Sequence, residues 1–151
     1  MVFDRVNKII YSGLSPRTDP NLLTKWCEDH SYELVRVETE SHKGAPIYHT
    51  DVFMFIGTGV IGICYEVIKP EYREVIKEKV NRYHEVMEIS KEQILDFCGN
   101  ALEAKDRDGN LYLIMSSRAH GALEKNQLSM LNNFYTKIIH SDLPTIEKYG
   151  G

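Results

Sequence analysis

The sequence predicts an α/β fold of short mixed sheets with interleaved helices. Short β-rich apolar runs alternate with amphipathic segments along the whole chain. Two pairs of such runs are joined by turn-forming clusters, Gly57-Thr58-Gly59 and Asp106-Arg107-Asp108-Gly109-Asn110, which marks them as hairpins. The alternation is short and irregular, unlike that of a doubly wound parallel sheet.

Each element has a local reason. Lys8 to Leu14 reads as a strand, broken by Ser15-Pro16-Arg17-Thr18. Asp19-Pro20 then supplies an N-cap and a first-turn proline for a helix that carries Leu22, Leu23, Trp26, Cys27 and His30 at helical spacing. Tyr32 to Val37 is strand-like, and Ser41 to Gly44 is polar loop. Tyr48 to Ile56 and Val60 to Val67 form the clearest hairpin, so Gly57-Thr58-Gly59-Val60-Ile61-Gly62 is a turn between strands rather than a nucleotide cradle. Pro70 opens a helix with Tyr72, Val75, Ile76, Val80 and Tyr83 on one face. Val86 to Ile89 is a strand, and Ser90-Lys91-Glu92-Gln93 is a capping box for a short helix through Leu95 and Phe97. Ala101 to Lys105 and Leu111 to Met115 make the second hairpin. Leu123 to Tyr135 reads as a helix, and Ile138 to His140 as a terminal strand.

With 151 residues, 42% hydrophobic and 26% charged, residues 1–151 suit a single domain with an ordinary globular composition. A net charge of -4 offers no positive field to gather phosphates, so nucleic acid is not an expected partner. No apolar run approaches the roughly 20 residues of a membrane span. The start of the chain lacks the order of a signal peptide, which gives cytoplasmic or other intracellular residence as the expectation. Cys27, Cys64 and Cys98 are odd in number and widely spaced, which suits buried thiols better than disulfides, zinc ligands or nucleophiles. The six histidines show no metal-ligand spacing, so no metal and no cofactor is expected.

Three places could carry chemistry. On a strand, His49 and Asp51 of His49-Thr50-Asp51 would project to one side, putting a proton-transfer group beside a carboxylate that could orient it or bind a cation. The same pair would equally suit a solvated strand end. Arg17, in a proline-stiffened loop, fits bidentate carboxylate binding or a surface role beside the next helix. Ser116-Ser117-Arg118 follows a strand and fits a helix cap.

Five segments go further. Leu14-Ser15-Pro16-Arg17-Thr18-Asp19, Pro46-Ile47-Tyr48-His49-Thr50-Asp51-Val52, Gly99-Asn100-Ala101-Leu102-Glu103, Met115-Ser116-Ser117-Arg118-Ala119 and His140-Ser141-Asp142-Leu143-Pro144-Thr145-Ile146-Glu147 occur in this order along nearly all of the chain. Together they resemble the C-terminal half of the pentein-fold guanidino-group modifying enzymes. These are the arginine deiminases, dimethylargininases and amidinotransferases, and the likeness is strongest to citrulline-utilisation type hydrolases.

The resemblance implies a partial pentein, about half of a ring of five α/β modules, so residues 1–151 would form a single incomplete domain. It places the general acid/base on His49 and a guanidinium-binding carboxylate on Asp51. Arg17 would meet the substrate carboxylate, and Asn100 would line the site. In the family a cysteine attacks the guanidinium carbon and forms a covalent amidino intermediate. That cysteine lies in a Gly-Gly-Gly-Ser-x-Arg-Cys stretch after a segment like Glu147-Lys148-Tyr149-Gly150-Gly151. A family glutamate lies in a Glu-Gly-Thr-Gly-Ser segment before one like Met1-Val2-Phe3-Asp4. Neither is among these residues, and no cysteine here takes the nucleophile's place. The implied function is therefore a non-catalytic binding or structural subunit or fragment. The alternative is one part of a split or truncated guanidine hydrolase acting on arginine, citrulline or a related substrate. The implied partners are another protein chain or a second copy completing the ring, and an arginine-like small molecule.

Overall fold

Asp4 makes the first turn. In the computed structural model, which describes residues 1–149, its side chain accepts hydrogen bonds from the backbone N–H of Asn7 at 2.9 Å and from the Asn7 side-chain amide at 2.8 Å. The chain thereby folds β1 (Val2–Asp4) back onto β2 (Ile9–Gly13) as an antiparallel pair. Asp19 then caps α1 (Pro20–Asp29), accepting from the backbone N–H groups of Asn21 and Leu22 at 2.9 and 3.0 Å. The helix carries the chain over the sheet so that β3 (Glu33–Val37) returns parallel to β2.

This strand-strand-helix-strand unit occurs three times. The second comprises β4 (Met54–Ile56), β5 (Val60–Ile63), α2 (Pro70–Asn81) and β6 (Glu85–Glu88). The third comprises β7 (Leu102–Lys105), β8 (Leu111–Ser116), the helices α3 (Ser117–Ala122) and α4 (Lys125–Phe134), and β9 (Lys137–Ser141). Each sheet has three strands in sequence order, the first pair antiparallel and the second parallel. The architecture is thus mixed α/β, with a final helix α5 (Pro144–Lys148) after the third sheet.

A shared core runs through the three units, with Tyr11, Phe53, Phe55, Ile61, Ile76 and Leu113 among its buried members. Ile10, Leu23 and Cys27 form a smaller cluster where α1 covers the first sheet. The opening strands of the three units lie side by side: β1 packs beside β4, and β4 beside β7. At the far end, Leu102, Ile114 and Ile139 stand in register across the third sheet and are 66%, 39% and 41% exposed.

Several elements differ from the sequence expectation. The strand expected over Tyr48 to Ile56 is only β4, because Thr50–Val52 form a single 3-10 turn. The strand expected to Val67 ends at Ile63, and Tyr65–Val67 make another 3-10 turn. The capping box forms, with Ser90 N–H donating to Gln93 Oε1 and Gln93 N–H to Ser90 Oγ, yet it starts only the 3-10 turn Gln93–Asp96. Phe97 ends that turn at φ 65°, in the left-handed region. The helix expected over Leu123 to Tyr135 starts at Lys125, since Leu123 is extended, and α3 precedes it. Val75 and Tyr83 are exposed rather than on the buried face of α2. Two elements had no sequence expectation, β1 and α5, each five residues or fewer.

Candidate functional site

The 3-10 turn at Thr50–Val52 is held by a contact distant in sequence. Thr50 is buried, and its Oγ1 accepts the backbone N–H of Gly13, the last residue of β2, at 3.0 Å. The Val52 N–H donates to the His49 carbonyl and the Phe53 N–H to the Thr50 carbonyl, which fixes the turn. Asp51 therefore sits on a tight turn at the entrance to β4. His49 and Asp51 are not same-face neighbours on a strand, and both are exposed.

A second loop closes on this turn. Asn100, three residues after the left-handed Phe97, donates its N–H to the Phe97 carbonyl at 2.9 Å. The preceding Gly99 lies against the Val52 backbone, where a Cβ would overlap the Val52 carbonyl. The third unit's entry loop is thereby docked on the second's.

Asp51 and Asn100 consequently line one cavity of about 410 Å³, whose walls include Phe3 of β1, Met54 of β4 and Leu102 of β7. Its polar side chains are Asp51, Asn100 and Arg5, set among apolar ones. Asp51 offers a carboxylate acceptor for a planar cation and Asn100 a neutral amide, while Arg5 brings a positive charge to the same cavity. His49 does not line this cavity.

Arg17 stands next door. It lines a neighbouring cavity of about 380 Å³ that shares Met1 and Phe3 with the first, and its guanidinium lies 5.1 Å from the Tyr48 ring centroid. The structure thus brings Asp51 and Asn100 together and places Arg17 beside them through Tyr48. Ser116 caps α3, accepting the Ala119 N–H at 3.1 Å, and Arg118 pairs with Asp96 at 2.7 Å, so this segment is structural.

Sequence reasoning missed Thr50, Tyr48 and Gly99 as the residues that position this site. Gly99 alone carried a local signal, as a glycine in a loop approach. Cys27, Cys64 and Cys98 are buried, and none lines the inner cavity. Burial raises all three thiols, Cys98 up to about 12. No group of three or more His, Cys, Asp or Glu side chains among the described residues could hold a metal ion, and no helix is long and apolar enough to cross a membrane.

Comparison with known proteins bears on this geometry. A search of curated protein sequences gives no significant match. Among solved structures, the N-terminal domain of ArgZ bound to substrate, an arginine dihydrolase from the ornithine-ammonia cycle in cyanobacteria, superposes with a TM-score of 0.76 at 16% identity. The match covers 99% of this chain and 51% of that one. A mutant of AgrE in complex with L-arginine gives a TM-score of 0.76 at 15% identity, over 98% of this chain and 20% of that one. This chain thus spans about half the length of the ArgZ domain, and at these identities the likeness is one of fold. The family model described as "N,N dimethylarginine dimethylhydrolase, eukaryotic" matches residues 1–151. The chain accordingly belongs to the N,N-dimethylarginine dimethylhydrolase family, within the pentein guanidino-group modifying superfamily.

Proposed function

We propose that the chain is the guanidinium-binding part of a guanidino-group hydrolase domain, built as a partial pentein ring. Asp51 grips the planar guanidinium through paired N–H bonds, and Asn100 lines the same cavity. Arg17, steadied over Tyr48, meets the substrate carboxylate, and His49 at the exposed edge of the turn moves protons to and from the reacting groups. The observation that carries this reading is the shared cavity of Asp51 and Asn100, which come from two different units. The substrate class is arginine, citrulline or a methylated arginine, in keeping with the L-arginine complex of AgrE.

By itself the chain binds without turning over. A nucleophilic thiol needs a lowered pKa and access to substrate, whereas all three cysteines are buried with raised values. Catalysis then requires a cysteine from outside residues 1–151. The bare row of Leu102, Ile114 and Ile139 gives the covering part a place to dock: further units of the same kind, in the same polypeptide or in a partner.

Calorimetric titration with L-arginine, L-citrulline and dimethylarginine tests the reading. Saturable binding that Asp51→Asn removes, without release of ammonia or dimethylamine, is the expected result. Release of ammonia or, from dimethylarginine, of dimethylamine, with a covalent adduct on one of the three cysteines, contradicts the non-catalytic part, and failure of all three ligands to bind contradicts the guanidinium site.

A further inference from the structure

Phe97 holds a conformation that favours glycine. It ends the 3-10 turn Gln93–Asp96 at φ 65° and ψ 21°, where the Cβ of a bulky residue crowds its own backbone. Such a residue stays left-handed only where its surroundings over-determine it. Here the turn directs the chain through Gly99, against the Val52 backbone, to Asn100 in the inner cavity. The Asn100 N–H closes on the Phe97 carbonyl at 2.9 Å, so the setting of Asn100 follows that of Phe97.

Helix α3 grips this turn. Its main chain accepts from Gln93 Nε2 at the Ala122 carbonyl, 2.8 Å, and from the Cys98 thiol at the Ala119 carbonyl, 3.4 Å. Arg118 supplies the side-chain grip: its Nε donates to Asp96 Oδ1 at 2.7 Å, and its guanidinium lies 5.3 Å from the Phe97 ring centroid. One planar group thus holds two consecutive residues, the last of the turn and the left-handed one.

The same arrangement recurs at Arg17. Its guanidinium lies 5.1 Å from the Tyr48 ring centroid, and Tyr48 precedes Asp51 by three residues, as Phe97 precedes Asn100. Both arginines follow the second strand of a unit, Arg17 after β2 and Arg118 after β8. They differ in what else they hold. Arg118 is paired with Asp96, whereas Arg17 is in no ion pair among the described residues, which leaves Arg17 for a ligand and commits Arg118 to the loop.

We infer that Arg118 is a positioning residue of the inner cavity: by holding Asp96 and Phe97 it keeps the left-handed turn closed and Asn100 in place beside Asp51. The inference rests on the guanidinium reading of that cavity. The Arg118 and Asp96 side chains are 49% and 41% exposed, so their pairing adds little to the stability of the whole chain, and its loss acts on the loop beyond it.

Calorimetry with L-arginine and amide hydrogen exchange on the full chain test it, in wild type, Arg118→Gln, Asn100→Ala and the double variant. Arg118→Gln should weaken L-arginine about fivefold and speed exchange of the Asn100 amide about fivefold, with exchange in β5 and the urea midpoint close to wild type. In the Asn100→Ala background the same change should cost no further affinity, because Arg118 acts through Asn100. Equal weakening in both backgrounds would make the effect of Arg118 a general one and overturn the proposal. Unchanged exchange at Asn100 in Arg118→Gln would overturn it equally, whether or not L-arginine binds. Failure of the wild type to bind L-arginine, with faster Asn100 exchange in Arg118→Gln, would overturn the guanidinium reading and support the clamp.

Discussion

Gly99 lies so close to Val52 that a Cβ on it would overlap the Val52 carbonyl. The contact is backbone against backbone across two units, and it sets Asn100 beside Asp51 in the inner cavity. Gly99→Ala should therefore destabilise the chain by about 1–3 kcal/mol, the usual cost of overpacking, because no flexible side chain can yield. The midpoint of a urea titration checks this, and a midpoint equal to wild type would show that the loop does not dock here.

Thr50→Val tests the other anchor. The variant keeps the shape of the side chain but leaves the buried Gly13 N–H without its acceptor, at a cost of about 1–3 kcal/mol. The same variant should weaken arginine binding, since the turn that carries Asp51 loses its hold on β2. Calorimetry and urea titration together separate the two effects.

Stability should also fall on mild acidification, through His84. This side chain and that of Asp4 are 1% and 2% exposed, with His84 Nε2 3.3 Å from Asp4 Oδ2, and they join the first hairpin to the loop before β6. Burial lowers the His84 pKa more than Asp4 raises it. The unfolded histidine takes a proton near pH 6.5, whereas the folded one does so only at lower pH. Between those values the unfolded state binds more protons, so stability is full above about pH 6.5 and declines as pH drops below it. Thermal melts from pH 8 to 5 should show that decline in wild type and a shallower one in His84→Phe.

The exposed row on the third sheet gives a prediction about association. Leu102→Lys with Ile114→Lys should leave the circular dichroism spectrum unchanged and reduce concentration-dependent light scattering, because neither side chain is one of the buried core residues. Scattering that persists would place the sticky surface elsewhere, for instance on the exposed Leu22 and Trp26 of α1.

Much of the fold was legible where the determinant is local. Asp19-Pro20, Gly57-Thr58-Gly59, Ser90 with Gln93, and Asp106 with Asn110 each perform in the structure the turn or cap that their chemistry predicts. The threefold unit was not legible, because its recurrences are sparse. Asp4-Arg5 with Asn7 and Asp106-Arg107 with Asn110 turn equivalent hairpins, and Ser15-Pro16-Arg17 and Ser116-Ser117-Arg118 follow equivalent strands, but little else repeats. The geometry around Asp51 was missed for a different reason. A β-rich run gave every appearance of a strand, and the 3-10 turn that replaces it depends on Thr50 meeting Gly13, a contact 37 residues away in sequence. Of the four residues singled out by resemblance, Asp51, Asn100 and Arg17 line adjoining cavities that share Met1 and Phe3, and His49 lines neither.

The most direct test of the account is an amide chemical-shift map of the isotope-labelled chain titrated with L-arginine. Saturable shifts concentrated at Asp51, Asn100 and Arg17, and absent from the Asp51→Asn variant, are the predicted result. Shifts confined to other surfaces, or identical in Asp51→Asn, would contradict a guanidinium site at the inner strands.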